Sequence, residues 1–380
     1  MMRRSIGFWV LLVCLFGLCF SAAADGTNPY AAFLSGESIH EVRGIQYDSD
    51  GTPIIFVPGV MGSKLYMPES GRLVWYSLFA AMFYPEQLNI SCNLEVRNNL
   101  VNQEDVFFVQ REYGSNGMYV SLINRLCREF SDRPVYFFSY DFRRPCDVSA
   151  ESLAEEIEAV KRLTGHATVD IVCHSMGGVV VSEYVSRFGD AALDKVVVLG
   201  TPFEGAPDAL YSAYTGSLFG LPEGLITPTT GLSADIISKY PGITDMYPTD
   251  AYAAGGGICI NGAPADAEGY GEFVSALCDG YRERPAANEV LAGMPNTYFA
   301  AGNTKKTTVG ISFLEDGETR LVVSREGDGT VPYASATMFG KLTMLLPDEN
   351  GVSRFREFAV AHNDLLGDEV ALEWICDVLR

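Results

Sequence analysis

TVDIVCHSMGG, residues 168–178, is the stretch whose reading decides the fold. Residues 168–173 form a short apolar run with β-branched Val169, Ile171 and Val172, the pattern of a buried strand in a parallel sheet. The run breaks at His174-Ser175-Met176-Gly177-Gly178, and residues 179–188 continue with helical spacing. A strand that becomes a helix within one or two residues strains the residue at the bend. Small neighbours two positions to either side relieve the crowding, and here they are Cys173 and Gly177. This is the arrangement that lifts a serine hydroxyl above a sheet as a nucleophile. A serine that merely caps the helix gives the same short pattern, and Cys173 stands where a glycine is usual. The weight therefore falls on what surrounds it.

Upstream, residues 53–57 (PIIFV) are an unbroken apolar run closed by Pro58-Gly59-Val60-Met61-Gly62-Ser63. Apolarity on both faces predicts a second buried parallel strand, and the glycine-containing turn offers backbone N–H groups to an oxyanion. Met118, Leu122, Ile123, Leu126 and Phe130 recur with helical period, a strand is predicted over 134–139, and a helix over 148–163 turns Leu153, Ile157 and Val160 inward. Downstream of the elbow, residues 195–199 (KVVVL) end in Gly200-Thr201-Pro202. Strands and helices alternating in this way specify a mostly parallel, doubly covered α/β sheet. The sheet is expected to resume at 297–301, again at 320–324 after a hairpin-like 314–317, and finally at 355–361. A closing helix over 366–379 would turn Val370, Trp374 and Val378 inward.

Two segments interrupt the alternation. Residues 64–115 contain the uncharged aromatic run 73–84, with Trp75, Phe79 and Phe83 as candidate lipid contacts in a lid; burial as core under a long loop is the competing reading. Residues 203–295 carry closely spaced Gly and Pro and are expected to form a cap over the sheet edge.

Residues 1–24 combine Arg3 and Arg4, an apolar run over 6–20 and Ser21-Ala22-Ala23-Ala24, which predicts a cleaved secretory leader before a single domain over 25–380 and hence an extracytoplasmic location. The formal net charge is −21, and losing Arg3 and Arg4 would make it more negative. So acidic a surface argues against nucleic acid and against strong attraction to anionic membranes. Nine cysteines, Cys14 and Cys19 of them in the leader, leave an odd number in the domain, with Cys259 and Cys278 a possible bridge. No Cys-x-x-Cys pair or His cluster suggests a metal, and no cofactor is expected.

A serine nucleophile needs a base, and the chain has four histidines. His174 adjoins the serine and its side chain is expected to point elsewhere, His166 precedes the elbow strand at the wrong edge, and His40 has no place against the sheet. His362 follows a strand and falls at the same edge as Ser175. Asp328, in a glycine turn after a strand and between serine and histidine in sequence, is the candidate to orient it, with Asp208 and Glu204 as positional rivals. Oxyanion donors are expected from the N–H groups of Val60 and Met176.

Residues 54–65 (IIFVPGVMGSKL), 140–143 (YDFR), 173–178 (CHSMGG) and 327–331 (GDGTV), in this order, resemble the lecithin:cholesterol acyltransferase family, which also includes lysosomal phospholipase A2 and phospholipid:diacylglycerol acyltransferases. The likeness runs over about 53–365. It implies an α/β-hydrolase fold, Ser175, Asp328 and His362 as nucleophile, acid and base, Val60 and Met176 as donors, a membrane-contacting lid after the first strand and an acyl-receiving cap over 203–295. Cys173 and Phe142 depart from the family's usual small residue and tryptophan. The expected activity is cleavage of lipid carboxylic esters, as a lipase, phospholipase or acyltransferase, through an acyl-serine, with transient contact to a lipid surface. The alternative is a catalytically inactive α/β-hydrolase serving as a secreted lipid-binding or adhesive module.

Overall fold

A computed structural model describes residues 51–75, 85–96, 99–101, 118–215, 240–278 and 287–380, all within one compact unit over 46–380. The leader-like residues 1–24, His40, Phe79 and Phe83 lie outside the described residues. In chain order the strands are β1 (Ile54–Val57), β2 (Leu65–Tyr66), β3 (Leu73–Trp75), β4 (Asn99–Val101), β5 (Val135–Phe137), β6 (Val169–His174), β7 (Leu193–Leu199), β8 (Ile258–Ile260), β9 (Ala263–Pro264), β10 (Thr297–Gly302), β11 (Thr307–Phe313), β12 (Thr319–Ser324) and β13 (Phe355–Phe358). The described helices include α1 (Val120–Glu129), α2 (Cys146–Thr164), α3 (Met176–Phe188), α4 (Pro207–Thr215), α5 (Pro241–Thr244), α6 (Ala267–Leu277), α7 (Ala287–Gly293) and α8 (Glu369–Leu379).

The central sheet runs β13-β10-β7-β6-β1-β5-β4. Its first six members are parallel, and β4 joins the edge antiparallel to β5. Every residue of β1, β5, β6 and β10 is buried, as strands covered on both faces must be. Helix α3 packs on both α2 and α7, while α8 packs on α1 and on β7. The one charge inside β6, Asp170, is compensated where it stands. It pairs with the largely buried Arg133 guanidinium and accepts the Lys195 N–H at 2.8 Å. Burial raises its carboxyl to about 6 against the pull of that arginine.

Register places the machinery. Val57 lies opposite Cys173, and His174 opposite Leu199. The turn after β1, the elbow after β6 and the Gly200 turn after β7 therefore meet at one carboxyl edge. β13 lies parallel beside β10, so the chain leaving β13 emerges at the same edge.

The structure corrects several expectations. Residues 320–324 do not return to the central sheet. They form β12 in a second sheet, β12-β11-β8-β9, which uses strands from inside the segment read as a cap. Leu321, Val322 and Val323 are all substantially exposed, so the apolar run in β12 is an uncovered edge and not a buried strand. β8 and β9 turn on Asn261 and Gly262, both at positive φ (51° and 81°), the backbone of a tight two-residue hairpin. The 64–115 segment contributes β4 to the edge of the central sheet. The last strand ends at Phe358, and Val370 is 55% exposed while Trp374 and Val378 are buried. Cys259 and Cys278 are not joined to each other.

Candidate active site

Ser175 closes β6 and caps α3 with φ 55° and ψ −126°, a conformation that costs a residue bearing a Cβ on the order of 1–3 kcal/mol. The surroundings hold it there. Its N–H donates to Leu199 O at 2.8 Å, and its carbonyl accepts from Gly178 N and from Thr201 Oγ1, each at 3.0 Å. The glycines are required by contact. A Cβ on Gly177 would stand 2.5 Å from Val57 O and 2.6 Å from Pro58 O, and one on Gly59 would stand 2.9 Å from Ser175 Cβ. The elbow and the turn after β1 thus interlock backbone to backbone. Cys173 is accommodated beneath: fully buried, its thiol lies 3.5 Å from Val197 O, and burial pushes its pKa far up, so it stays a thiol.

Val60 sits half-buried in the turn after β1, where Gly62 N donates to Gly59 O at 3.0 Å and Met61 takes a positive φ of 59°. Met176 is the first residue of α3, whose leading N–H groups have no partner within the helix. Trp75, which the sequence leaves open between lipid contact and core, is 8% exposed. Its indole N–H donates to Met61 O at 3.0 Å and its ring meets Phe142 edge-on at 5.4 Å, so it braces the turn.

His362 opens a 3₁₀ turn (His362–Leu366) after β13. Its Nδ1 lies 2.7 Å from Asp328 Oδ2, and its main-chain N–H donates to Asp328 O at 2.9 Å. Asp328 is fully buried, and its Oδ1 accepts the N–H groups of Thr330 (2.9 Å) and Val331 (2.7 Å). A carboxylate so supplied only accepts, so the proton of the neutral imidazole resides on Nδ1 and the Nε2 lone pair is left available. Two further glycines make room. A Cβ on Gly302 would lie 2.6 Å from Asp328 Cβ, and one on Gly200 would lie 3.2 Å from the His362 ring. The rival acids are engaged elsewhere. Asp208, raised by burial, bonds to Thr308, and Glu204 accepts the Thr249 hydroxyl at 2.6 Å.

His174 was not expected in the site, and it is there. Its ring lies 4.6 Å from that of His362, centroid to centroid, and its Nε2–H donates to the main-chain carbonyl of His362 at 3.3 Å. Burial first, and the neighbouring His362 second, hold its pKa well below 6.5 despite that bond, so it is a neutral imidazole. Position 174 beside Ser175 is the available signal; the contact with a residue 188 positions away is not readable from the sequence. His166 is placed away from this edge, before β6. Among the described residues no group of three or more His, Cys, Asp or Glu could hold a metal ion, and no helix is long and apolar enough to cross a membrane.

Comparisons with known proteins agree with this architecture. The lecithin:cholesterol acyltransferase family model matches residues 129–249, which include the 140–143 and 173–178 motifs. Lecithin-cholesterol acyltransferase-like 4 of Arabidopsis thaliana is 24% identical over 197 residues, 43% of this chain and 36% of that protein. Phospholipase A(1) LCAT3 of Arabidopsis thaliana is 32% identical over 91 residues, 22% of this chain and 20% of that protein. The matched segments thus span about a third or less of these curated relatives. Among solved structures, the Tle4-Tli4 complex contains a chain that superposes with a TM-score of 0.57 at 14% identity, covering 87% of this chain and 99% of that one. The fold is that of an α/β-hydrolase, and the chain resembles the acyltransferase and phospholipase family in the segment around the elbow.

Proposed function

We propose that the protein is a serine esterase that cleaves carboxylic esters of lipids through an acyl-serine. The observation that carries this reading is the polarised imidazole: Asp328 holds Nδ1–H of His362 at 2.7 Å, which reserves Nε2 for a hydroxyl at the edge where Ser175 is lifted out of its strand. In the reaction His362 Nε2 takes the Ser175 proton as Oγ attacks the ester carbonyl. The oxyanion is held by the N–H groups of Val60 and Met176. His362 then returns the proton to the leaving alcohol, and water or a second alcohol repeats the sequence on the acyl-serine. Losing one oxyanion donor is expected to cost about 3 kcal/mol of barrier.

The lipid character of the substrate rests on the relatives' names and on the motif likeness. Export is supported by the leader-like pattern of residues 1–24 alone. Hydrolysis and acyl transfer use the same triad and differ in which nucleophile reaches the acyl-enzyme. A fluorophosphonate probe tests the reading. Wild type should be labelled and Ser175→Ala should not, whereas an unlabelled wild type would favour an inactive lipid-binding module. Phospholipid vesicles incubated with and without a long-chain alcohol then separate free fatty acid from new ester.

A further inference from the structure

The oxyanion turn is held by side chains that belong to none of the motifs around the nucleophile, acid or base. The peptide unit joining Pro58 to Gly59 has its carbonyl bonded by the Tyr140 hydroxyl at 2.8 Å and its N–H bonded to the Tyr119 hydroxyl at 3.0 Å. In a trans peptide these two groups point in opposite directions, so the two phenols grip one rigid plane from its two sides. The next peptide unit, Gly59 to Val60, has its carbonyl fixed by Gly62 N–H at 3.0 Å. Its N–H, the expected donor to substrate, must therefore point the opposite way from that fixed carbonyl. Tyr140 adds a second tie through its main-chain N–H, which donates to Ser63 Oγ at 3.0 Å.

We propose that Tyr119 and Tyr140 are positioning residues that set the direction of the Val60 N–H before substrate arrives. This rests on the serine-esterase reading. Rotating the Pro58–Gly59 peptide would break both phenol bonds and leave buried polar groups unpaired, at about 1–3 kcal/mol each, which is what makes the orientation rigid. The same rotation would disturb the Pro58 carbonyl where it packs on Gly177, beside the other donor, Met176. Both phenols are buried and held far above their usual pKa by desolvation, so neither ionises in any ordinary assay and the clamp is insensitive to pH.

The test uses Tyr140→Phe and Tyr119→Phe, which keep the rings and remove only the hydroxyls. Tyr298→Phe is the control: it removes an equivalent bond, 2.6 Å to Asp348, near the amino end of β10 and away from the site. Active sites are counted with fluorophosphonate, and kcat and KM are measured per active site on a soluble p-nitrophenyl ester. Each clamp variant is expected to lose about tenfold in kcat, less than the 10²–10³ typical of deleting a donor itself, with KM unchanged. Affinity for a trifluoromethyl ketone, which forms a tetrahedral oxyanion on the serine, should fall by the same factor. Affinity for the corresponding non-cleavable ether should not move. Loss of melting temperature or of titratable sites with kcat per site intact would mark a merely structural role and overturn the proposal, as would equal losses for ketone and ether. If one variant precipitates, the other carries the same comparison. A wild type that neither labels nor turns over overturns the esterase reading itself and takes the proposal with it, an outcome distinct from an active wild type with unaffected Phe variants.

Discussion

The two halves of the site differ in what dominates their fit. Around Ser175 the fit depends on atoms that are missing: Gly59 and Gly177 let the β1 turn and the elbow touch backbone to backbone, with no space for a methyl group. Around His362 it depends on bonds that are made, since Asp328 gives Oδ2 to the imidazole, Oδ1 to two backbone N–H groups and its carbonyl to the His362 N–H. The serine half should be sensitive first to addition and the histidine half first to removal, although Gly302 also leaves no room beside Asp328. That asymmetry can be broken one side at a time.

The largest effect is expected on the histidine side. Asp328→Asn keeps the shape but offers an amide N–H where a carboxylate oxygen stood, which turns the imidazole to the wrong tautomer. Loss of kcat of about 10⁴ is expected, with the melting temperature little changed. Asp208→Asn, measured beside it, should leave kcat unaltered, because that carboxyl bonds to Thr308 and not to His362. The reverse ranking would transfer the acid to Asp208 and undo the contrast.

On the serine side, Gly177→Ala adds one carbon 2.5–2.6 Å from the carbonyls of Val57 and Pro58, backbone atoms that cannot swing aside. Overpacking of this kind costs about 1–3 kcal/mol of stability. Driving the two oxyanion donors apart should cost roughly 10² in kcat, the scale of a misplacement near 1 Å. Here stability and activity fall together, unlike Asp328→Asn. An alanine variant with both intact would mean that the interlock is slack.

The same contrast explains how far each half was legible in the sequence. The serine half is local: strand apolarity, the bend and the glycines lie within a few residues of Ser175 and of Val57, and the parallel pairing of β1 with β6 then brings both to one edge. The order Ser175, Asp328, His362 was also readable, but the bond that separates Asp328 from Asp208 is tertiary. The second sheet was hidden because β8 pairs with β11 across about fifty residues, and the β12 run looks like a buried strand until its exposure is seen. Trp75 stayed open between lipid contact and core for a similar reason, since aromatic composition does not say whether a ring faces lipid or, as here, donates to Met61 O. Tyr119 carries no motif, and only its bond to Gly59 N–H gives it a role.

His174 belongs to both halves, and it yields the smallest effect and a graded one. It sits next to Ser175 in the chain, yet its Nε2–H holds the His362 carbonyl, while Nδ1 is buried without a hydrogen-bond partner. Desolvation keeps its folded-state pKa well below the unfolded value of about 6.5. Above that value neither state binds the proton, and the contribution to stability is constant. Below it the unfolded chain takes up a proton that the folded chain refuses, so stability falls as pH falls, by at most about 1.4 kcal/mol per pH unit for this group. Asp170, raised to about 6, works in the other direction over the acid range, because there the folded chain binds the proton first. The wild-type curve alone therefore mixes the two. The difference between wild type and His174→Gln in denaturant unfolding from pH 7 to 5 cancels Asp170 and isolates the imidazole. A shallower acid slope in the variant by about one proton is expected. Equal slopes would mean that His174 charges freely in the folded state, and the neutral link between nucleophile strand and base would be lost.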